Sequence, residues 1–363
     1  MKTNGKIILS IEEQKKIISE VEKDFLKFWD KDFDASIFAK CRDNFYLTKD
    51  IQSVQILKQN LSKKPRFSIV IPTYKRLDEL RRALKTALEQ DIDEEYEILI
   101  VENTDYFEET PVQKMLENEF ANKVNYYKNQ SNLELYGNFN RCIFLAQGKW
   151  VCLLQSDDIL MSDYLSEMRK IIENEKYSNA ALIGCVDNPK DIFPPRSNNR
   201  FKDKISYLFK KFFLSGDCIE KISMKPKSWR KEALDNELIG LPANAMLHNK
   251  DKILDIGGYN QDEYPSADMA FFNRVNAKYE VFLYRKKILQ HKTIEVATSS
   301  TPKCKLQFIF LDPIIFSAFV KEKNRLKIMQ YKQIRNWKRG LKKQKCLEIC
   351  SYVDIFLKKH NII

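Results

Sequence analysis

The feature that most constrains this chain of 363 residues is an alternation of short, continuously apolar segments with amphipathic ones. The apolar segments have the length of buried strands, and the segments between them have the periodicity of helices. Strands that are apolar on both faces and joined by helices form a parallel sheet covered on both sides, so the pattern predicts an α/β fold. The predicted strands are RFSIVIPTY, EYEILIVEN, KVNYYKN, WVCLLQ and AALIGCV.

The alternating pattern begins after a polar, proline-containing joint near residue 64 and divides the chain into three regions. Residues 1–64 are predicted to be a helical extension, in which Ser10 is the N-cap of the first helix and Glu13 completes a capping box. Residues 65–300 are predicted to form the α/β domain. Residues 301–363 are predicted to be a basic helical tail.

The net charge of +12 is concentrated in two zones. Residues 302–363 carry 15 Lys or Arg against 4 Asp or Glu, and residues 196–232 carry 11 against 4. Such zones indicate an anionic partner, either a phosphorylated ligand or an anionic membrane surface, or they are simply solvated faces. No nucleic-acid recognition motif accompanies them, so no nucleic-acid partner is expected.

Cysteine usage and hydropathy predict the compartment. The eight cysteines include no CxxC pair and the chain has three histidines, which argues against a zinc finger and for a reducing compartment. No run approaches the roughly 20 apolar residues of a membrane-spanning helix. The expected location is the cytoplasm, with peripheral attachment to the inner face of the cytoplasmic membrane as the other possibility.

Polar residues directly follow three of the predicted strands: Pro72–Arg76, Glu102–Asp105 and the pair Asp157–Asp158. In open α/β sheets ligands bind beyond the carboxyl ends of the strands, so these residues are candidates for one site. Adjacent carboxylates repel each other, and an acidic pair is therefore either solvated or held by a cation. The position of this pair after a buried strand favours the cation.

Four segments, in this order, resemble the family 2 glycosyltransferases with the GT-A nucleotide-sugar-binding fold. The resemblance covers roughly Phe67 to Ile294. It implies a Rossmann-like mixed sheet flanked by helices, with residues 65–160 as the donor half and 161–300 as the acceptor half. The segments are FSIVIPTYKR, YEILIVENTD, YGNFNRCIFLAQGKWVCLLQSDD and IGGYNQDEYPSADMAFFNRV.

The resemblance implies a donor site and a metal site at the strand ends. Tyr74 would flank the base, Arg76 would reach phosphate, and Glu102 would accept the imide N–H of uracil, which favours a UDP-sugar. A divalent cation, Mn²⁺ or Mg²⁺, would neutralise the leaving diphosphate. The implied donor-binding residues are Pro72, Thr73, Tyr74, Arg76, Glu102, Asn138, Gln155, Ser156 and Asp158. The implied metal ligands are Asp157, Asp158 and His291.

Asp268 is implied as the catalytic base, because it matches the acid of the family's acceptor-side helix. The implied reaction is an inverting transfer to a saccharide or lipid-linked acceptor hydroxyl, in the synthesis of cell-surface polysaccharide or glycolipid. Simpler interpretations of single residues remain: Asp268 as a helix N-cap, Asn138 and Asn140 as helix caps, and His291 as a structural residue.

The sequence departs from the family pattern at four positions, one of which is Glu102 in place of the usual Asp. Gln155 and Ala267 stand where acids are usual, and Glu134 stands where glycine is common, so that Gly137 and Asn138 are expected to supply that turn. The two lost acids leave a non-catalytic scaffold with the same fold as an alternative. A nucleotidyltransferase is a further alternative, although no glycine-rich phosphate loop follows the first strand.

Overall fold

The computed structural model describes residues 2–3, 6–7, 9–104, 109–186, 219–222, 244–291 and 301–360. The strands in these ranges are β1 (Lys2–Thr3), β2 (Lys6–Ile7), β3 (Ser53–Leu57), β4 (Phe67–Thr73), β5 (Glu97–Glu102), β6 (Asn125–Asn129), β7 (Trp150–Leu153), β8 (Ile159–Leu160), β9 (Ala180–Cys185), β10 (Ile219–Ile222), β11 (Met246–Asn249), β12 (Glu280–Tyr284) and β13 (Gln290–His291).

A nine-stranded mixed sheet, in the order β10-β12-β9-β11-β7-β4-β5-β6-β3, forms the centre of the described part of the chain. Strands β7, β4, β5 and β6 are parallel neighbours, as are β9 and β12. Strand β11 is antiparallel to both β7 and β9, and β3 and β10 are antiparallel edges. The prediction of a mixed α/β sheet is confirmed.

Helices cover both faces of the sheet, and alternate residues of each strand face opposite cores. Ile98 and Ile100 of β5 belong to one apolar cluster, and Leu99 and Val101 belong to the other. The helices are α1 (Ile11–Phe25), α2 (Leu77–Leu88), α3 (Pro111–Glu119), α4 (Glu134–Leu145), α5 (Tyr164–Ile172), α6 (Lys250–Ile256), α7 (Ala267–Lys278), α8 (Pro302–Phe319), α9 (Lys323–Lys343) and α10 (Leu347–Lys359).

The N-terminal region is helical only in part. The capping box of Ser10 and Glu13 is confirmed, but α1 ends at Phe25. Short 3₁₀ helices follow at Leu26–Trp29, Ala35–Ala39 and Tyr46–Thr48, because side chains such as Asp34 accept hydrogen bonds from nearby backbone N–H groups and so compete with a longer helix. The β-branched segment Ser53–Leu57, predicted to be helical, is instead the edge strand paired with β6.

The tail helices do not stand alone: α8, α9 and α10 share an apolar core with α1. Trp29 donates its indole N–H to the carbonyl of Phe310 at 2.8 Å and packs edge-on against Phe356. The domain boundaries at 64 and 300 stay predictions.

Among the described helices, none combines the length and the hydropathy that crossing a bilayer requires. The basic zone at residues 196–232 contains an aromatic-rich segment, RFKDKISYLFKKFFLSG. This segment, at residues 200–216, lies outside the described residues.

Candidate functional site

The site lies at the carboxyl edge of the parallel strands. Strand β4 ends at Thr73 and β5 ends beside it at Glu102, the two residues being paired in register. Leu154 extends β7 by donating to the carbonyl of Val70 at 3.0 Å, and Asp157 and Asp158 follow. Parallel neighbours end at the same edge, so the described residues of the three predicted polar segments meet there, whereas Asp105 lies outside the described residues.

Arg76 and Asp157 form an ion pair across this edge. The Arg76 Nη1 lies 2.7 Å from the Asp157 Oδ2, and the Asp157 side chain is only 9% exposed, against 29% for Arg76. The intervening turn from β4 contains Lys75 at a φ of 54°, a left-handed conformation that a side chain disfavours. Asp157 therefore lies where a cation holds it, and in this structure that cation is a guanidinium.

The turn after β7 is closed by backbone and amide contacts. Asp158 donates its backbone N–H to the Gln155 carbonyl at 3.0 Å, and both Ser156 and Asp158 are buried. The Gln155 Nε2 donates to the Asn244 Oδ1 at 3.0 Å. Asn244 lies at this edge because β11 runs antiparallel to β7 and so begins where β7 ends. The predicted donor residue Gln155 is thus held by a residue that the sequence did not single out.

Pro72, Thr73 and Tyr74 lie at the mouth of β4. Pro72 and Thr73 are buried, whereas Tyr74 is 46% exposed and therefore accessible to a ligand. The Thr73 Oγ1 is buried with no hydrogen-bond partner among the described residues. Buried hydroxyls are normally paired, so this one is a candidate contact for a bound ligand.

Glu102 lies in a buried polar cluster. Its Oε2 accepts hydrogen bonds from the Thr110 Oγ1, at 2.9 Å, and from the Tyr126 hydroxyl, and the residue is 1% exposed. Burial, followed by the charge of Glu102, raises the pKa of Tyr126, so that hydroxyl stays protonated and continues to donate. Any base recognition by Glu102 would use its other oxygen, Oε1.

Asn138 belongs to a network of buried amides that ties the strand ends to α4. Its Nδ2 donates to the Val101 carbonyl at 3.1 Å, and its Oδ1 accepts from Asn129 at 3.0 Å. Asn103 accepts from Asn129 at 3.0 Å and donates to Asn132 at 2.7 Å. The helix-cap interpretation of Asn138 is wrong, because α4 begins at residue 134 and Asn132 accepts the backbone N–H there.

On the acceptor side, α4 anchors the loop that leads into α7. Asn140 and the backbone of Tyr259 exchange two hydrogen bonds of 2.7 and 2.8 Å, so Asn140 is not a cap either. A side chain at Gly258 would come within 2.4 Å of the Asn140 Oδ1, which explains the glycine there. The Tyr136 hydroxyl donates to the Pro265 carbonyl at 3.2 Å.

Asp268 lies in the first turn of α7, where its Oδ1 accepts the backbone N–H of Met269 at 2.7 Å. The residue at the N-cap position is Ser266, so the interpretation of Asp268 as the N-cap is wrong by two residues. Burial, followed by the charge of Asp268, raises the pKa of Tyr136 and of Tyr259. The charge of Asp268 therefore acts on both hydroxyls, and the residue itself is half-buried.

His291 is exposed on β13 and lies opposite Ile159 of β8, two residues beyond Asp157 in the chain. Within the described residues, no three His, Cys, Asp or Glu side chains form a group that could hold a metal ion. Mg²⁺ is nonetheless commonly bound by one or two carboxylates together with substrate phosphates. The hard oxygen of Asp157, already facing a cation, fits that mode of binding.

Sequence reasoning missed Asn244 and Asn129, and it did not pair Arg76 with Asp157. Asn129 carried a signal, since it stands at the end of a predicted strand. Asn244 carried none, because its role depends on an antiparallel strand from a distant part of the chain.

The sequence of the part of the chain that forms this edge matches a known family. Residues 68–231 match the sequence family described as "Glycosyl transferase family 2". This segment contains the ends of β4, β5 and β7 with Arg76 and Asp157. The mixed sheet covered by helices on both faces is a fold of the GT-A type. Over these residues the chain is similar to glycosyltransferase family 2.

Two relatives match this chain over only part of their own length. An uncharacterised glycosyltransferase of Mycoplasma genitalium is 28% identical over 31% of this chain and 39% of that protein. The GalNAc(5)-diNAcBac-PP-undecaprenol beta-1,3-glucosyltransferase of Campylobacter jejuni is 26% identical over 48% of this chain and 57% of that protein. The chain thus spans about half the length of these relatives.

Solved structures share the fold. TarS 1–349 of S. aureus in complex with UDP-GlcNAc superposes with a TM-score of 0.52 at 12% identity, covering 80% of this chain and 83% of TarS 1–349. The mannosyltransferase PcManGT of Pyrobaculum calidifontis, in complex with GDP-Man and Mn²⁺, superposes with a TM-score of 0.50 at 10% identity, covering 96% and 92%. At these identities the likeness establishes the fold alone.

Proposed function

We propose that this chain is an inverting glycosyltransferase that moves a sugar from a nucleotide-sugar donor, favouring a UDP-sugar, to a hydroxyl of a saccharide or lipid-linked acceptor. The observation that carries the proposal is the Arg76–Asp157 pair at the carboxyl edge of β4 and β7, where a GT-A fold binds its donor. The setting we propose is the synthesis of cell-surface polysaccharide or glycolipid, consistent with the name of the Campylobacter jejuni relative.

On the donor side, the exposed Tyr74 would flank the base, while the Glu102 Oε1 would accept its imide N–H. The buried hydroxyl of Thr73 would gain a partner from the nucleotide. Gln155 and Ser156 would line the ribose side of the turn, and Asn138 would act indirectly by holding α4 against the strand ends.

Asp157 and Asp158 would hold a divalent cation, Mn²⁺ or Mg²⁺, with His291 as a further candidate ligand from the neighbouring strand β13. When bound, such a cation offsets the negative charge that develops on a departing diphosphate. Arg76, at the start of α2, would contribute positive charge to the same diphosphate.

The proposed chemical step is a single displacement at the anomeric carbon C1 of the donor sugar. The acceptor oxygen forms a bond to C1 while the bond from C1 to the diphosphate oxygen breaks, and the nucleoside diphosphate leaves with the bonding electrons. Asp268 accepts the proton of the acceptor hydroxyl as that oxygen attacks. Attack opposite the leaving group inverts the configuration at C1.

The test is release of nucleoside diphosphate from a panel of nucleotide sugars, measured with Mn²⁺, Mg²⁺ or EDTA. We expect metal-dependent release from one UDP-sugar, reduced at least about 100-fold in Asp157→Ala and in Asp268→Ala. Asp262→Ala is the matched control, because Asp262 is an exposed acid on the same acceptor-side loop, paired only loosely with Arg42 at 3.8 Å. It should retain full activity.

A measurement of donor binding distinguishes a defect in catalysis from a defect in the donor site. Asp268→Ala should still bind UDP with a metal, since its defect lies in proton transfer and not in the donor site. If no donor in the panel is bound or cleaved by the unaltered chain, the result would favour a non-catalytic scaffold with the GT-A fold.

We further propose that the protein works in the cytoplasm, attached to the inner face of the cytoplasmic membrane through α9. This helix carries nine Lys or Arg and no Asp or Glu. Its exposed residues combine cations with apolar side chains, among them Ile328 at 43% and Tyr331 at 45% exposure. Such a combination is typical of helices that lie on anionic lipid.

A further inference from the structure

The Arg76–Asp157 ion pair occupies the carboxylate to which the proposed function assigns a metal. Asp157 follows β7 and Arg76 precedes α2, so the pair joins the ends of two adjacent parallel strands. A carboxylate that is only 9% exposed loses most of its hydration and requires a partner of opposite charge. Arg76 supplies that charge within the chain itself.

The two partners are not equally confined. The Arg76 side chain is 29% exposed, whereas Asp157 lies in a turn closed by the hydrogen bond from the Asp158 N–H to the Gln155 carbonyl. The Arg76 side chain is also long and flexible, so its guanidinium can reorient toward solvent or a ligand. If the pair separates, Arg76 is therefore the partner that moves.

We propose that Arg76 is an exchangeable counter-ion, which holds Asp157 while no metal is bound and transfers to the donor diphosphate when a divalent cation takes its place. The inference rests on the proposed function. A guanidinium binds a carboxylate and a phosphate with the same fork of N–H donors, so the diphosphate is a chemically equivalent partner. A guanidinium and a divalent cation on one carboxylate repel each other, so the two compete for Asp157.

This exchange makes the metal and the diphosphate bind cooperatively through the protein. The metal alone must displace Arg76 and leave it unpaired, whereas the metal and a diphosphate together give every charge a partner. Binding of each ligand therefore strengthens binding of the other, by a coupling that Arg76 carries. Removing the charge of Arg76 should strengthen binding of the metal alone.

The experiment measures the dissociation constant of Mn²⁺ for the full chain without nucleotide, from the electron paramagnetic resonance signal of free Mn²⁺. We expect Arg76→Gln to bind Mn²⁺ at least about fivefold more tightly than the unaltered chain, the lower end of usual coupling factors. Arg76→Lys keeps the charge and should stay within about twofold of the unaltered chain. Arg81→Gln is the matched control, because Arg81 pairs with Glu119 at 2.9 Å on the outer side of α2.

Unchanged or weaker Mn²⁺ binding in Arg76→Gln, or no binding in either chain, would overturn the exchange. Thermal unfolding verifies folding of Arg76→Gln, and Mn²⁺ should raise its Tm more than that of the unaltered chain. Binding of UDP with Mn²⁺ by the unaltered chain tests the proposed function separately. If that binding occurs while Arg76→Gln gains no Mn²⁺ affinity, the donor site stands and only the exchange fails.

Discussion

Asp312 is a buried residue of α8, and its carboxylate joins three helices through hydrogen bonds. Its Oδ1 accepts from the Ser266 hydroxyl at 2.6 Å, at the start of α7, and its Oδ2 accepts from Gln333 at 2.8 Å and from Trp337 at 2.9 Å, both on α9. Burial raises the pKa of Asp312 to about 6, despite these donors. In the unfolded chain an aspartate titrates near its ordinary value of about 3.9.

This shift makes part of the stability depend on pH. Because the folded state binds the Asp312 proton more tightly, the group's contribution to the free energy of unfolding is present below about pH 4 and is lost as pH rises to about 6. We expect the difference in that free energy between the unaltered chain and Asp312→Asn to fall by up to about 3 kcal/mol over this range, at about 1.4 kcal/mol per pKa unit.

Urea unfolding at a series of pH values measures that difference. The difference is needed because burial lowers the pKa of His248 to about 4, which makes its contribution rise with pH from about 4 to 6.5 and masks the slope of Asp312 in either chain alone. Since both chains contain His248, subtraction removes it. A difference that stays constant between pH 4 and 6 would contradict the assigned role of Asp312.

At the scale of elements, the start of α4 has an unfavourable backbone. Glu134, its first residue, has a φ of 58°, in the left-handed region where glycine is favoured. Gly137 and Asn138, predicted to supply this turn, lie inside the helix instead. The chain thus has glutamate at the position where the family commonly has glycine, and the backbone there adopts the left-handed conformation that favours glycine.

Replacing Glu134 by glycine should therefore stabilise the protein. We expect Glu134→Gly to raise the free energy of unfolding by about 0.5–1 kcal/mol, since relief of the left-handed strain exceeds the extra entropy of the unfolded chain. Chemical denaturation measures the change. Glu134→Ala is the control, because it loses the same exposed carboxylate but keeps a Cβ, and it should be no more stable than the unaltered chain. Equal stability of the two variants would refute the argument.

At the scale of the whole molecule, the two ends of the chain form one helical layer. α1 packs on α8 and α10, and the Trp29–Phe310 hydrogen bond joins residues far apart in sequence. This layer holds α9, whose outer face exposes Lys327, Arg335 and Arg339. A basic tail that was predicted as an appendage is therefore tied to the body through a shared core.

Membrane attachment belongs to this scale. We expect the full chain to sediment with vesicles of phosphatidylcholine and phosphatidylglycerol but not with phosphatidylcholine alone, and added salt should weaken binding. Changing Lys327, Arg335 and Arg339 to Gln should reduce binding roughly 100-fold, at about 1 kcal/mol per cation. The same change at Lys85, Lys114 and Lys123, on the donor side, is the control. An equal loss of vesicle binding in both triple variants would show that binding depends only on net charge. That result would contradict a specific binding surface on α9.

The sequence by itself determined the α/β pattern, the order of the strands along the chain and the polar residues at their ends. These follow from local periodicity, which depends on which side chains neighbour each other in one strand or helix. The capping box at Ser10 is equally local. For the same reason the resemblance to family 2 glycosyltransferases is visible in the sequence.

Only the tertiary structure decided which polar groups meet. Arg76 holds Asp157, Asn244 holds Gln155, and Asp312 holds Ser266, across sequence separations that no short motif encodes. Each contact depends on strand order or helix packing, which set distances between residues remote in the chain. The segment Ser53–Leu57 became a strand because the exposed edge of β6 offered hydrogen bonds that a local reading of its residues does not contain.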